Sequence, residues 1–201
     1  MNCLFAAAEN LLELLDQSGW KSCLIGGLAN LRWGEPRQTK DVDVSVAAGW
    51  GREDEIADLL LSHYRLRLGD RAFALRMRVL LLLGPDDVPL DVALGAIPFE
   101  LACIERSTPW LVLDRYRLRT CSAEDLIVHK VFAGRDRDWV DVEGVVRRQG
   151  SRLELELIRR ELPPLLELKD AGGHLARFEQ LVAGAQKRFR HLGDDAGEKL
   201  S

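Results

Sequence analysis

Residues 21–46 read KSCLIGGLANLRWGEPRQTKDVDVSV. Lys21 to Ile25 is a short, mostly apolar strand that runs into Gly26-Gly27. Leu28 to Trp33 has the pattern of a helix's first turns, and Gly34-Glu35-Pro36 breaks it. Thirteen residues separate Gly27 from Asp41, and Asp41 to Val46 then alternates Asp, Val, Asp, Val, Ser, Val. A period of two marks a strand with one polar and one apolar face. Strand, glycine turn, helix and acidic strand together point to an α/β fold.

Working outward, Leu4, Ala8, Leu11, Leu12 and Leu15 share one face at helical spacing, and Ser18-Gly19 ends that helix. Glu53 to Tyr64 is a second amphipathic helix, with Ile56, Leu59, Leu60 and His63 at helical intervals. Strands begin at Arg65 to Leu68. Ala74 to Leu83 and Val88 to Leu94 are expected to form a hairpin around Gly84-Pro85-Asp86-Asp87. From Ser122 onward the pattern is helical, with Ser122/Asp125 and Ser151/Glu154 spaced as capping boxes, and with breaks expected at Pro163-Pro164 and Gly172-Gly173. The expected organisation is an α/β catalytic region over residues 1–120 and a helical C-terminal region over 121–201.

A chain of 201 residues is long enough to bury a proper core, and too short for two unrelated full domains. Charged residues make up 30% of it, the net charge is −4 and aromatics are 6%, so composition does not announce a nucleic-acid binder. Cys3, Cys23, Cys103 and Cys121 lack paired spacing and read as reduced core residues. His63, His129, His174 and His191 lack zinc-like spacing. The opening Met1-Asn2-Cys3-Leu4 has no basic region followed by an apolar run, and no apolar stretch reaches the ~18 residues of a membrane span. The expected location is the cytoplasm, without membrane contact.

The chemistry concentrates in Gly26-Gly27, Asp41-Val42-Asp43 and Asp91. Glycines after a strand let backbone approach a phosphate and expose N–H donors at a helix start, where negative charge is favoured. Asp41 and Asp43 project to one strand face, so they can share a divalent cation or bridge two. Asp91 alternates against Leu90, Val92 and Leu94; if its strand lies beside the first, three carboxylates converge. Such a cluster needs a cation to offset its self-repulsion. Asp86 and Asp87 are rivals for the third place, but they sit beside Pro85 in a turn, where aspartate is common for turn reasons. Each part alone has a plainer reading: a solvated acidic face, an empty tight turn, an exposed loop charge at Arg37, a surface lysine at Lys130.

Ile25-Gly26-Gly27 followed by Thr39-Lys40-Asp41-Val42-Asp43-Val44 resembles the signature of the nucleotidyltransferase superfamily, and Asp91 in Pro89-Leu90-Asp91-Val92 fills the third carboxylate position. The stretch Ala123-Glu124-Asp125-Leu126-Ile127-Val128-His129-Lys130, with Ala133, Arg135, Arg137, Asp138 and Asp141, is similar to the helical segment of AbiEii/AbiGii-type toxin nucleotidyltransferases. The likeness spans roughly Leu4 to Arg148; many members carry serine where this chain has Gly27. It implies a mixed sheet flanked by helices and a helical C-terminal region. It also implies transfer of a nucleoside monophosphate from an NTP, with two Mg²⁺ ions (or Mn²⁺) held by Asp41, Asp43 and Asp91.

The resemblance further implies nucleotide contacts from Gly26, Gly27, Lys130 and Arg137, with Asp138 and Asp141 either holding those cations or studding a solvated helix face. The implied acceptor is an RNA 3′ end (tRNA included) or a protein hydroxyl, as for a toxin controlled by a cognate antitoxin. Two other readings stand beside it: a small-molecule (antibiotic) nucleotidyltransferase, and a non-catalytic binding module or antitoxin component that keeps the fold. A plain α/β scaffold would bind no NTP.

Overall fold

The computed structural model describes residues 2–169 and 171–198, with side chains described as far as residue 187. The chain forms two compact units, Met1–Leu31 with Arg37–Ser122, and Arg32–Pro36 with Ala123–Ser201.

The first unit is built on a mixed seven-stranded sheet. Its strands are β1 (Ser22–Leu24), β2 (Val42–Ala47), β3 (Arg65–Leu66), β4 (Val79–Leu83), β5 (Pro89–Gly95), β6 (Thr108–Val112) and β7 (Tyr116–Thr120), in the order β3-β4-β5-β2-β1-β7-β6. β2 runs parallel to β5 and β1 parallel to β7, while the other neighbours are antiparallel. One sheet face is apolar: Val42, Val44 and Val46 of β2, Leu80 and Leu82 of β4, and Leu90, Val92 and Leu94 of β5 are all buried. Burying each such side chain contributes roughly 1.5–3 kcal/mol relative to exposure. They join one core with helices α1 (Asn2–Gln17), α3 (Glu53–His63) and α4 (Arg71–Met77), through residues such as Leu11, Leu15, Ile56, Leu60 and Ala74. α2 (Gly26–Trp33) follows β1, and α5 (Pro98–Glu105) follows β5, its first turn closed by Glu100, which accepts from the Ala96 and Ile97 N–H groups.

Two local expectations change in this unit. Residues 74–77 end helix α4 instead of beginning a strand, because the Asp70 carboxylate accepts the Phe73 N–H at 2.7 Å and starts a helix there. Arg78, in the left-handed region at φ 53°, stops it, and its guanidinium donates to the Gly49 and Leu94 carbonyls, so the hairpin begins at Val79. The glycine pair belongs to the first turn of α2 instead of preceding it.

The second unit is helical: α6 (Ala123–Ala133), α7 (Asp136–Gln149), α8 (Leu155–Glu167) and α9 (Gly173–Glu198). Its core includes Leu126, Val131, Trp139, Val142, Ile158, Leu162, Leu165 and Phe178. Residues 32–36 belong here for visible reasons. Arg148 donates to the Gly34 carbonyl, Gln149 to that of Trp33, and Arg147 pairs with Glu35. Gly144 leaves room for the Glu35 backbone, which a Cβ would meet at 3.1 Å.

Ser151 falls in a 3₁₀ turn and does not cap α8; the Glu154 N–H instead donates to Glu124 at 3.1 Å. Pro163 and Pro164 lie inside α8 and do not break it. The lost backbone bonds are outweighed by the buried face of Leu157, Ile158, Leu162, Leu165 and Leu166, and by the Arg159 fork on Glu179 of α9. Among the described residues no helix is long and apolar enough to cross a membrane.

Candidate metal centre

The register of β2 against β5 puts Asp43 directly level with Asp91. The valines and leucines on either side of these acids are buried in the core, so both carboxylates stand on the opposite face. Asp41 lies one residue before β2 and keeps the same parity. The three side chains bring carboxylate oxygens within 4.8 Å of one another, and among the described residues this is the only group of three or more potential metal ligands. Asp86 and Asp87 do not join it. They sit in the 3₁₀ turn between β4 and β5, where Asp87 pairs with Arg65.

Two carboxylates with oxygens within 4.8 Å of each other repel by at least roughly 3 kcal/mol at an effective dielectric constant near 20. Directly opposed like charges on neighbouring strands are otherwise disfavoured. The surroundings hold each acid in place. Thr39, itself buried, donates its hydroxyl to Asp41 Oδ1 at 2.9 Å. The Gly27 N–H donates to Asp43 Oδ2 at 3.2 Å. Arg67 donates to Asp91 Oδ1 at 2.5 Å.

The need for two glycines is explained by these acids and their neighbour. Gly26 sits at φ +59°, and a Cβ there would lie 1.9 Å from Asp43 Oδ2. A Cβ on Gly27 would lie 2.2 Å from the Thr39 hydroxyl. The glycines therefore admit the acidic strand and its threonine against the start of α2. The holding roles of Thr39 and Arg67 were not visible in sequence: Thr39 stood only as the first residue of the run Thr39-Lys40-Asp41-Val42-Asp43-Val44, and Arg67 carried no signal.

The residues fit a hard divalent cation. The donors are all carboxylate oxygens, the set that Mg²⁺ and Mn²⁺ prefer over softer metals. Oxygens sharing one Mg²⁺ at about 2.1 Å span up to ~4.2 Å, so a cluster drawn within 4.8 Å needs only small side-chain rotations.

The two remaining sequence candidates lie in the second unit. Lys130 is buried, its ammonium 3.1 Å from Asp138 Oδ1 and 2.8 Å from Asp141 Oδ2, and both acids are buried with it. Asp138 also receives Arg135 at 2.6 Å. Burial alone pushes the Asp138 carboxyl up, but the hydrogen bonds from Arg135 and Lys130 outweigh it and hold the group below the ordinary aspartate value. Arg137 is exposed near the start of α7. Cys23, Cys103 and Cys121 are buried and Cys3 is exposed, and none of the four is in a disulfide. His174 Nδ1 lies 2.8 Å from the Val131 carbonyl, and its ring meets the edge of Trp139.

No sequence-family model matches the chain, and no curated protein sequence does. Solved structures do. The antibiotic-resistance factor ANT(2'')-Ia, in its solution structure, superposes with a TM-score of 0.53 at 14% identity, covering 98% of both chains. An antigenic nucleotidyltransferase-like protein from Paracoccidioides brasiliensis does so with a TM-score of 0.51 at 16% identity, covering 92% of both. The fold is nucleotidyltransferase-like. At this identity the likeness establishes the architecture: a mixed sheet with helices on it, and further helices after it, over nearly the whole chain.

Proposed function

We propose that this chain is a divalent-metal-dependent nucleotidyltransferase that moves a nucleoside monophosphate from an NTP to an acceptor hydroxyl. The observation that carries the reading is the convergence of Asp41, Asp43 and Asp91, with Asp43 and Asp91 level on adjacent strands, on a fold of this kind. In the reaction a bond forms between the acceptor oxygen and the α-phosphorus, the bond from that phosphorus to the bridging oxygen breaks, pyrophosphate leaves and the hydroxyl proton is released.

Asp41 and Asp43 would hold the cation that accompanies the triphosphate, and all three acids the cation beside the acceptor. Bound Mg²⁺ or Mn²⁺ supplies charge for the phosphate oxygens and acidifies the acceptor hydroxyl. The chain's own residues do the positioning. Thr39 fixes the Asp41 rotamer, the Gly27 N–H fixes Asp43, and the missing Cβ atoms of Gly26 and Gly27 keep that arrangement compact. Gly26, Gly27, Lys130 and Arg137 are the proposed nucleotide ligands. Because the Gly27 N–H already serves Asp43 and the Lys130 ammonium already serves two acids, both also have a holding role.

Support for the acceptor divides. The likeness of residues 123–141 to AbiEii/AbiGii-type toxins favours an RNA or protein hydroxyl, with a cognate antitoxin as partner. The shared architecture with an antibiotic-resistance factor favours a small-molecule hydroxyl. Incubation with each α-phosphate-labelled NTP, Mg²⁺ and separated RNA, protein and small-molecule fractions of a cell extract tests all three. Label should appear in one fraction, vanish with Asp43→Asn and require the divalent ion. NTP binding without transfer to any fraction would instead support the non-catalytic module.

A further inference from the structure

The Asp91 carboxylate already holds a cation supplied by the chain. β4 lies between β3 and β5, with Leu81 level with Asp91, and Asp91 is level with Asp43 on the next strand. Just past β3, the Arg67 N–H donates to the Leu81 carbonyl at 2.7 Å and extends the ladder by one residue. Arg67, Leu81, Asp91 and Asp43 thus form one row across the sheet, and side chains in such a row share a face. Arg67 stands two strand spacings from Asp91, roughly 9–10 Å. Its side chain crosses above Leu81, and its Nη2 reaches Asp91 Oδ1 at 2.5 Å.

Contrast with the neighbouring pair shows that this contact is no ordinary surface bridge. Arg65, two residues earlier, pairs with Asp87 out in solvent, with side chains 71% and 74% exposed. The Arg67 and Asp91 side chains are 36% and 27% exposed, so their attraction is less screened, and one partner belongs to the three-acid cluster. With its Nη2 on Asp91 Oδ1, the guanidinium occupies a carboxylate oxygen that a metal ion would need, so a second cation must displace it.

We propose that Arg67 is a built-in competitor for the third carboxylate: a divalent cation binds through Asp91 only when the guanidinium lets go. This inference rests on the reading of the acids as a metal site and adds a control to it. The displaced guanidinium remains charged beside the site, where an anionic phosphate group is a suitable new partner. Cation binding at Asp91 is therefore weak in the nucleotide-free protein and tightens when a triphosphate takes Arg67 over. The coupling is reciprocal, so the loaded third acid also strengthens triphosphate binding.

The test is Mn²⁺ binding to the nucleotide-free protein, followed by the loss of the free-ion paramagnetic resonance signal, for wild type, Arg67→Gln, Asp91→Asn and the double variant. Circular dichroism confirms that each is folded. Arg67→Gln should tighten Mn²⁺ by about tenfold, and the gain should vanish in the Asp91→Asn background. Adding a non-hydrolysable NTP analogue should tighten Mn²⁺ in wild type by more than in Arg67→Gln. Unchanged or weaker Mn²⁺ binding in folded Arg67→Gln overturns the inference, as does a gain that persists without Asp91. The two readings fail separately. If wild type transfers no nucleotide while Arg67→Gln still tightens Mn²⁺ through Asp91, the enzyme reading falls and the competition stands. If transfer occurs and Arg67→Gln binds Mn²⁺ as wild type does, only the competition falls.

Discussion

Replacing Gly26 by alanine should separate backbone preference from site geometry, because the chain contains its own control. Gly19 and Gly26 both have positive φ, +77° and +59°, but a Cβ at Gly19 meets nothing within 4 Å, whereas at Gly26 it would stand 1.9 Å from Asp43 Oδ2. Alanine in the left-handed region costs about 1 kcal/mol, and Gly19→Ala should lose no more than that. Gly26→Ala bears the same cost and must also swing Asp43 aside, breaking the 3.2 Å bond from the Gly27 N–H. A hydrogen bond to a charged acceptor contributes about 1.5–3 kcal/mol, part of which returns when the carboxylate reaches water. The expected total is about 2–4 kcal/mol, read as a lower urea midpoint with unchanged slope. Mn²⁺ affinity should fall by at least ~10-fold, since losing even an orienting partner of a ligand has that effect. Gly19→Ala should bind Mn²⁺ as wild type does. Equal stability losses in the two variants, with normal Mn²⁺ binding by Gly26→Ala, would refute the packing of Asp43 on Gly26.

Asp91→Asn should bind Mg-NTP within about tenfold of wild type, by calorimetry, while labelled-nucleotide transfer falls at least ~10³-fold, about 4 kcal/mol of transition-state stabilisation; normal transfer would remove Asp91 from the site. Lys130→Met leaves the buried Asp138 and Asp141 without their shared cation and should cost about 3–5 kcal/mol in urea unfolding, whereas a loss below about 1 kcal/mol would make the pair dispensable. Measured where that variant is still folded, its NTP affinity reports any separate nucleotide contact. For pH, the Asp138 carboxyl is held below its unfolded value of 3.8, so its contribution is complete above that value and is lost as pH falls through the lower folded one. Acid titration of unfolding free energy should therefore show a decline below about pH 4 that is shallower in Asp138→Asn, and identical slopes would contradict the assignment.

Periodicity was enough to assign the acids their strand faces, because a strand's side chains alternate whatever lies beside it. Asp41 and Asp43 had to share a face, and Asp91 had to oppose Leu90, Val92 and Leu94, from local geometry alone. The same local logic located α1, α3 and the turn to helices at α6, whose apolar spacing is unambiguous. It misread residues 74–77, where one aspartate cap outweighed an apolar strand-like run, and Pro163-Pro164, where packing against neighbouring helices carried α8 through.

What local pattern could not settle was adjacency. Whether the Asp91 strand lies beside the Asp43 strand depends on a sheet order in which β5 is the parallel neighbour of β2, across more than forty intervening residues. The partners of the acids were hidden for the same reason. Gly26 looked like a turn glycine until Asp43 was found against it, and nothing in the sequence singled out Arg67, which the ladder sets two strands from Asp91. The sequence by itself determined which residues carry charge and which way each strand turns them. Tertiary structure alone decided which charges meet, because register and strand order are set by the whole core's packing and not by any segment's own preferences.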